Sequence, residues 1–351
     1  MSDRASVVHP PQPATIRRPV GINPAARLPQ LSIVIVNYRQ WDNTAALVRQ
    51  ILGTAAARRG AVEVVVVDNH SPPHPLAARL RRWPGVSLRR WGRNRGFARA
   101  VNEGCRLSRG QWFLLLNPDM TLADGFVDGV LRLADQLGDA DPKTGIVGFR
   151  LLNNDGTTQL SSGQFPTLAS SLAGLMRPRQ RRKYQSVNAS HRSQVNWVTG
   201  CCLLMRRGCV QELRGLDQSM FLYYEDVDLC RRAQEKGWKV WYEPTLRAVH
   251  HDPSHGRPVS PQLRLIARHS LLTYASRHWP RWQYGLLAGI VRLEACVRRW
   301  WAKQQGHDAP ASVYGQLELL AGELWQGAVA AGRRRLIGVV KSMPPAAGGQ
   351  R

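Results

Sequence analysis

Three runs of aliphatic residues, each ending on a polar side chain, constrain the fold of this chain more than any other feature. They are LSIVIVN at 31–37, VEVVVVD at 62–68 and WFLLLNPD at 112–119. An unbroken apolar strand is one covered on both faces, which places all three inside a mostly parallel sheet. The segments between them fit. Residues 44–57 have helical periodicity with Leu47, Ile51 and Leu52 on one face. A short helix is expected between Pro72 and Trp83, a strand over 86–90, a helix opening at Asn94-Arg95-Gly96-Phe97 and running through Gly104, and a strand over 111–116. Strands alternating with helices at this spacing predict βαβ units in an α/β fold. Such sheets bind ligands at the C-terminal edge of their strands. Asp68 and Asp119 fall at that edge, and a third acidic cluster, YYEDVDLCRR, follows at 223–232. Three acidic sites converging on one sheet edge point to metal-assisted handling of a phosphorylated ligand.

The second half is more varied. A helix is expected over 125–137, ending near Gly138, then strands over 146–152 and 159–162 around an Asn154-Asp155-Gly156 hairpin turn. Residues 177–193 are basic and aperiodic, which reads as a loop. A strand over 195–206 is interrupted by Gly200, a helix over 226–236 is stopped by Gly237, and late strands are expected over 239–242 and 248–251. From about Pro261 the pattern turns helical, over 263–278, 281–301 and 313–341, with tryptophans, leucines and arginines interleaved. Amphipathic basic helices of this kind suit a membrane interface, with rings at headgroup depth and cations facing anionic lipid. Packing on the preceding domain or a dimer contact is the alternative. The expected organisation is a leader over 1–29, a main domain over 30–260 and a helical tail over 261–351.

The charge is lopsided, 49 Lys+Arg against 24 Asp+Glu, for a net +25. Such a surface attracts nucleic acid, an acidic membrane face or phosphorylated substrates. The cations are scattered or gathered in the 177–192 loop and the tail, without a nucleic-acid-binding motif, so nucleic acid is disfavoured. The first strand is followed by NYRQWDN rather than GxGxxG, which argues against a dinucleotide-binding dehydrogenase. Six cysteines without CxxC or framework spacing read as reduced, mostly buried thiols. The leader has no apolar core of a secretory signal, and no run of eighteen uncharged apolar residues occurs. The expected setting is the cytoplasm, at the inner face of the cytoplasmic membrane.

LSIVIVNYR, VVVVDNHS, NRGFARAVNEG, FLLLNPD, VTGCCLLMRR, YYEDVDLCRRAQEKGW and AVHH occur in this order over about 31–255. In sequence and spacing they resemble family 2 glycosyltransferases with the GT-A fold, and within them the bacterial rhamnosyltransferase-type branch that builds surface polysaccharides. The resemblance implies a nucleotide-sugar donor, with dTDP-L-rhamnose first among the possibilities, and a saccharide or polyprenyl-linked acceptor. It implies that Asp68 contacts the nucleobase, with Val36, Asn37 and Tyr38 lining the same pocket; an Asx-turn or helix cap before Ser71 is the other reading of Asp68. Asn94 and Gly96 match the N-x-G-F element, where Gly96 permits close backbone approach and the helix start offers N–H groups to an anion. The alternative for Asn94 is an ordinary helix cap, and Asn102 lies farther along the same helix.

Asn117-Pro118-Asp119 stands where the family carries its D-x-D metal motif. With Asn117 at the first position, Asp119 is the main carboxylate for Mg²⁺ or Mn²⁺, hard cations suited to carboxylate and phosphate oxygens. Some relatives place a further ligand at the position of His250, with His251 beside it. Asp226 is implied as general base, which an alcohol nucleophile requires at neutral pH, with Glu225 contacting acceptor or sugar hydroxyls. Asp228 and Arg232 have the spacing of an i,i+4 ion pair. Gly200 lies in a segment the family uses as a floor beneath the sugar. Trp197 stacks on a sugar or belongs to the core. The family inverts anomeric configuration.

Overall fold

The computed structural model describes residues 28–175, 191–251 and 259–341. The leader and most of the basic 177–193 segment therefore lie outside the described residues. β1 (Leu31–Asn37) is buried at every position, as its sequence requires. α1 (Trp41–Leu52) stops at Gly53, and α2 (Ala55–Arg58) restarts under Thr54. One helix was expected over 44–57. The Thr54 hydroxyl instead donates to the Ile51 carbonyl and accepts from the Ala57 N–H, which breaks the run in two. β2 (Val62–Asp68), α3 (Pro75–Leu80), β3 (Val86–Arg90), α4 (Phe97–Leu107) and β4 (Trp112–Leu116) complete the first half. Its strands are parallel in the order β3-β2-β1-β4, with Asn37 opposite Asp68 and Ile35 opposite Leu116.

The second half begins with β5 (Met120–Leu122), α5 (Phe126–Ala140) and β6 (Thr144–Leu152). β7 (Thr158–Gln159) folds back on β6 with Leu151 opposite Gln159, the hairpin that the Asn-Asp-Gly turn predicts. β8 (Ser162–Gly163), α6 (Leu168–Leu175), β9 (Ser193–Gln194), β10 (Trp197–Val198) and β11 (Cys202–Arg206) follow, then α7 (Arg207–Glu212), α8 (Glu225–Glu235) and β12 (Lys239–His250). The two strands expected over 239–251 are one bent strand, whose register against β6 shifts between Glu243 and Arg247.

The sheet runs β3-β2-β1-β4-β11-β6-β12-β5. β11 is antiparallel to β4 and to β6, β12 is parallel to β6, and β5 is antiparallel to β12. Six strands of this path therefore point one way, and β11 and β5 oppose them. Alternate residues of β1 feed opposite cores, Val34 and Val36 on one face, Ile33 and Ile35 on the other.

α9 (Pro261–His278) starts at Ser260, whose hydroxyl accepts from the Leu263 N–H. α10 (Arg281–Gln304), α11 (Asp308–Trp325) and α12 (Val329–Lys341) follow, the last two separated at Gly327, where φ is +78°. Leu265, Leu272, Leu320 and Leu336 of these helices share one buried cluster with Val101 of α4 and Val227 of α8. The tail thus closes one face of the sheet. All six cysteines are free thiols, and Cys296 alone among them is exposed.

Candidate active site

A cavity of about 300 Å³ opens at the C-terminal edge of β1 and β4. Val36, Tyr38, Asn94, Asn117, Asp119, Gly200, Glu225, Asp226 and His250 line it, bringing together residues from across the main domain. Asn37, Asp68 and Gly96 do not reach its wall.

Asp68 lies one layer below, fully buried. A carboxylate there requires a partner, and Arg90 of β3 supplies it at 2.9 Å from Oδ2. Oδ1 accepts from Asn37 Nδ2 at 2.9 Å, and Asn37 Nδ2 also donates to Ser71 Oγ at 3.0 Å. Asn37 Oδ1 in turn accepts from Thr44 Oγ1 at 2.9 Å and the Gln40 N–H at 3.2 Å. This network fixes the turn after β1 and hence Tyr38 on the cavity wall. Ser71 N–H lies 3.4 Å from Asp68 Oδ2, a weak version of the Asx-turn.

Gly96 has φ +91°, and a Cβ there would sit 2.9 Å from the Phe221 carbonyl oxygen. The close approach that demands glycine is therefore to the loop before α8, and the Phe97 N–H donates to that same carbonyl at 2.8 Å. Asn94 is not the cap of α4; Gly96 takes that place, directly before Phe97. Its Oδ1 accepts from the Gly96 N–H and from Asn69 Nδ2, both at 2.9 Å, shaping the loop that enters the helix. Asn102 clamps a second segment, exchanging two hydrogen bonds of 2.8 Å with the Leu216 backbone.

The Asp119 carboxylate is buried, and its Oδ1 has no hydrogen-bond partner. His250 Nε2 lies 3.5 Å from that oxygen. The pairing of β5 with β12 produces this approach, since His250 sits opposite Met120 and the His251 N–H donates to the Asp119 carbonyl at 3.0 Å. Gln159 of β7 touches the other imidazole nitrogen, Nδ1, at 3.2 Å, and its own Oε1 is buried without a partner. With Oε1 turned to Nδ1–H, both the orphan oxygen and the histidine tautomer are satisfied, and the Nε2 lone pair faces Asp119. Among the described residues no group of three or more His, Cys, Asp or Glu side chains could hold a metal alone. Asp119 and His250 could hold a cation only with ligand oxygens completing its shell. His251 turns away, to Thr121 Oγ1 and Asn154 Oδ1, each at 2.6 Å.

Asp226 sits in the first turn of α8 and is buried. Its Oδ2 accepts from the Gly200 N–H at 3.1 Å and Oδ1 from the Val227 N–H at 2.9 Å, which fixes the carboxylate against the cavity. Before it, Tyr223 and Tyr224 both occupy the left-handed region, with φ of +73° and +67°. Two strained non-glycine residues in succession are tolerated where surrounding structure over-determines them. Here the anchor is Asp228, fully buried, which binds Arg232 Nε at 2.7 Å, the predicted i,i+4 pair, and also His278 Nε2 of α9 at 2.8 Å. Trp197 is wholly buried and donates to the Gln164 carbonyl at 2.9 Å, which settles it as core. The pattern of residues alone gave no signal for Gln159, Phe221 or His278, because each is recruited by packing from a distant element.

The sheet order with two reversed strands, and acidic residues at the ends of β4 and the start of α8, define a GT-A-type nucleotide-sugar transferase fold. In agreement, the structure of GalNAc-T7, solved with UDP, GalNAc and Mn²⁺, matches with a TM-score of 0.50 at 16% identity, over 71% of this chain and 50% of that one. This chain belongs to the family described as glycosyltransferase like family 2, whose model matches residues 29–285. It is a glycosyltransferase. Similar proteins include the N-acetylglucosaminyl-diphospho-decaprenol L-rhamnosyltransferase of Mycobacterium tuberculosis, 29% identical over 72% of this chain and 86% of that protein. A low-salt glycan biosynthesis hexosyltransferase of Haloferax volcanii is 25% identical over 83% of this chain and 91% of its own length. A rhamnosyltransferase of Escherichia coli K12 is 27% identical over 46% of this chain and 60% of its own. Within its family the chain is rhamnosyltransferase-like.

Proposed function

We propose that this enzyme transfers L-rhamnose from dTDP-rhamnose, with inversion, to a saccharide carried on a polyprenyl diphosphate at the membrane surface. The observation that carries the reading is the placement of Asp119, His250 and Asp226 on one cavity wall. The mycobacterial relative, named for an L-rhamnosyl transfer to a diphospho-decaprenol-linked sugar, supports the donor sugar and the acceptor class.

Asp226 takes the proton of the acceptor hydroxyl as that oxygen attacks the anomeric carbon. The bond from that carbon to the diphosphate oxygen breaks, and the nucleoside diphosphate departs with the electron pair. One base and one displacement give inversion without a covalent intermediate. The Gly200 N–H holds the base in position, and Glu225, also buried on the wall, faces acceptor or sugar hydroxyls. Tyr38 and Val36 flank the nucleotide, with Asp68 and Asn37 stiffening that wall from behind. Asp119 and His250 would hold a divalent cation, Mg²⁺ or Mn²⁺, which neutralises charge on the departing diphosphate.

The membrane face of the reading rests on α10. Trp282, Leu286, Leu293, Val297, Trp300 and Trp301 are exposed at helical spacing along it, among arginines. Among the described residues no helix is long and apolar enough to cross a membrane. An exposed stripe of this kind suits the interface.

A thermal-shift screen of nucleotide sugars tests the donor and the cation together. With Mn²⁺, dTDP-rhamnose at a hundredfold excess over its Kd is expected to raise Tm by about 5 °C, and EDTA is expected to cancel most of the rise. An equal rise in chelator would remove the cation from the reading, and a larger rise with UDP- or GDP-sugars would replace the donor.

A further inference from the structure

A second cavity, of about 380 Å³, adjoins the first and shares Tyr38, Asn94, Phe221 and Val340 with it. Its walls carry Arg39, Arg93, Arg95, Arg99, Arg333 and Lys341 and, among the described residues, no carboxylate. Arg39 follows β1, Arg93, Arg95 and Arg99 belong to the entry and first turn of α4, and Arg333 and Lys341 come from α12. Several arginines elsewhere have acidic partners. Glu294 alone serves Arg264, Arg268 and Arg298, and Glu323 serves Arg335. In this recess none of the five arginines forms an ion pair among the described residues, although Arg95 lies near enough to Glu103 to act on it. The Nε atoms of Arg39 and Arg99 are buried without an acceptor. Burying a cationic donor unpaired is costly unless something else supplies the acceptor. Arg99 is held below its ordinary pKa by burial and by the charges of Arg333, Arg95 and Arg93, so these cations crowd one another across two parts of the fold. Arg39 has φ +60° and is pinned there by its N–H on Ser71 Oγ at 2.7 Å. Beside the cations, Leu336, Ile337 and Val340 of α12 give the recess an apolar wall.

We propose that this recess binds the diphosphate of the lipid-linked acceptor, with the first isoprene units against α12. The inference rests on the proposed acceptor class and adds the residues that hold it. Guanidinium forks suit phosphate oxygens, and several together suit a group with the charge of a diphosphate. The donor's own diphosphate belongs at Asp119 and His250, neither of which lines this recess. Closing the recess requires α12, so the helical tail completes the acceptor site as well as covering the core.

Titration calorimetry on the full chain, with farnesyl diphosphate as probe and dTDP with Mn²⁺ already saturating, tests this. Farnesyl diphosphate is expected to bind, and farnesol is not. Arg99→Gln and Arg333→Gln are each expected to weaken farnesyl diphosphate about tenfold to a hundredfold while leaving dTDP affinity unchanged. Arg334→Gln removes the same charge from an exposed position next door, outside the recess, and is expected to change neither. Competition between dTDP and farnesyl diphosphate, with both weakened by the two variants, would assign the recess to the donor and overturn the proposal. Undiminished farnesyl diphosphate binding in both variants would overturn it too. Failure of dTDP to bind the unaltered chain would count against the donor reading alone, since the diphosphate arm is read independently.

Discussion

Asp68, Asp119, Asp226 and Asp228 are all buried near the sheet edge and differ in what they touch, and that difference carries their proposed roles. Asp68 is tied to Arg90 and Asn37, and Asp228 to Arg232 and His278, so cations or amides hold both carboxylates in place. Asp226 accepts the backbone N–H groups of Gly200 and Val227 and faces the cavity. Asp119 keeps one oxygen without a hydrogen bond, beside an imidazole. Asp226→Asn keeps the shape and the Gly200 contact but cannot take a proton. Turnover should fall by about a hundredfold to ten-thousandfold with dTDP-rhamnose affinity nearly unchanged, as measured by initial rates beside calorimetry; undiminished turnover would remove Asp226 as the base. A second residue-scale effect concerns His269, which burial, reinforced by the charge of Arg333, pushes down to about 4. Its folded pKa lies below the ordinary histidine value near 6.5. The unfolded chain therefore binds more protons between those two values, and stability falls as pH drops through that window. The loss from pH 7 to pH 4 should be on the order of 3 kcal/mol. His269→Leu should flatten that part of a stability-against-pH curve from denaturant melts, and an unchanged slope would clear His269 of the effect.

At the scale of elements, the site is an outcome of which strands pair. β1, β2 and β4 were legible because burial on both faces gives long aliphatic runs, broken in β1 and β2 only by Ser32 and Glu63 near their starts, and Asp68 and Asp119 were legible as the residues where those runs stop. The approach of Asp119 to His250 was not legible. It depends on β5, three residues long and too short to show a period, and on its register against the far end of β12. α6 and α7 escaped for the same reason of length, at eight and six residues. Asn94 and Gly96 were visible as a motif, yet the sequence alone does not show that Gly96 faces Phe221 of a loop more than a hundred positions later. That contact ties the start of α4 to the segment entering α8, where Glu225 and Asp226 sit. Gly96→Ala forces a Cβ into a left-handed backbone and against the Phe221 carbonyl, and should cost about 2 kcal/mol. Because the loop must move, acceptor KM should rise along with the loss of stability in urea melts. A loss of stability with KM unchanged would confine Gly96 to the fold.

On the scale of the whole molecule, the tail helices have two faces with different chemistry. Inward, Tyr284, Leu287 and Val291 of α10 and Leu336 of α12 join the main core. Outward, α10 shows its stripe from Trp282 to Trp301. Removing everything after Arg281 would therefore open the core as well as remove the stripe, and release from a membrane would then have two causes. Substituting only the exposed rings separates them. Trp282→Ser, Trp300→Ser and Trp301→Ser together withdraw apolar surface from the interface without touching buried residues. At roughly 1 kcal/mol or more for each ring, from about 25 cal/mol per Å² of apolar area, binding to vesicles containing phosphatidylglycerol should weaken at least about a hundredfold. Tm should stay unchanged, because these rings contribute little to the fold they cover. Turnover of a short, water-soluble acceptor should also persist, since the cavity at Asp119 and Asp226 lies apart from the stripe, while turnover of acceptor embedded in vesicles falls with sedimentation. If the triple variant still sediments with the vesicles as the unaltered chain does, α10 is not the membrane face, and the net charge of +25 has to act through another surface.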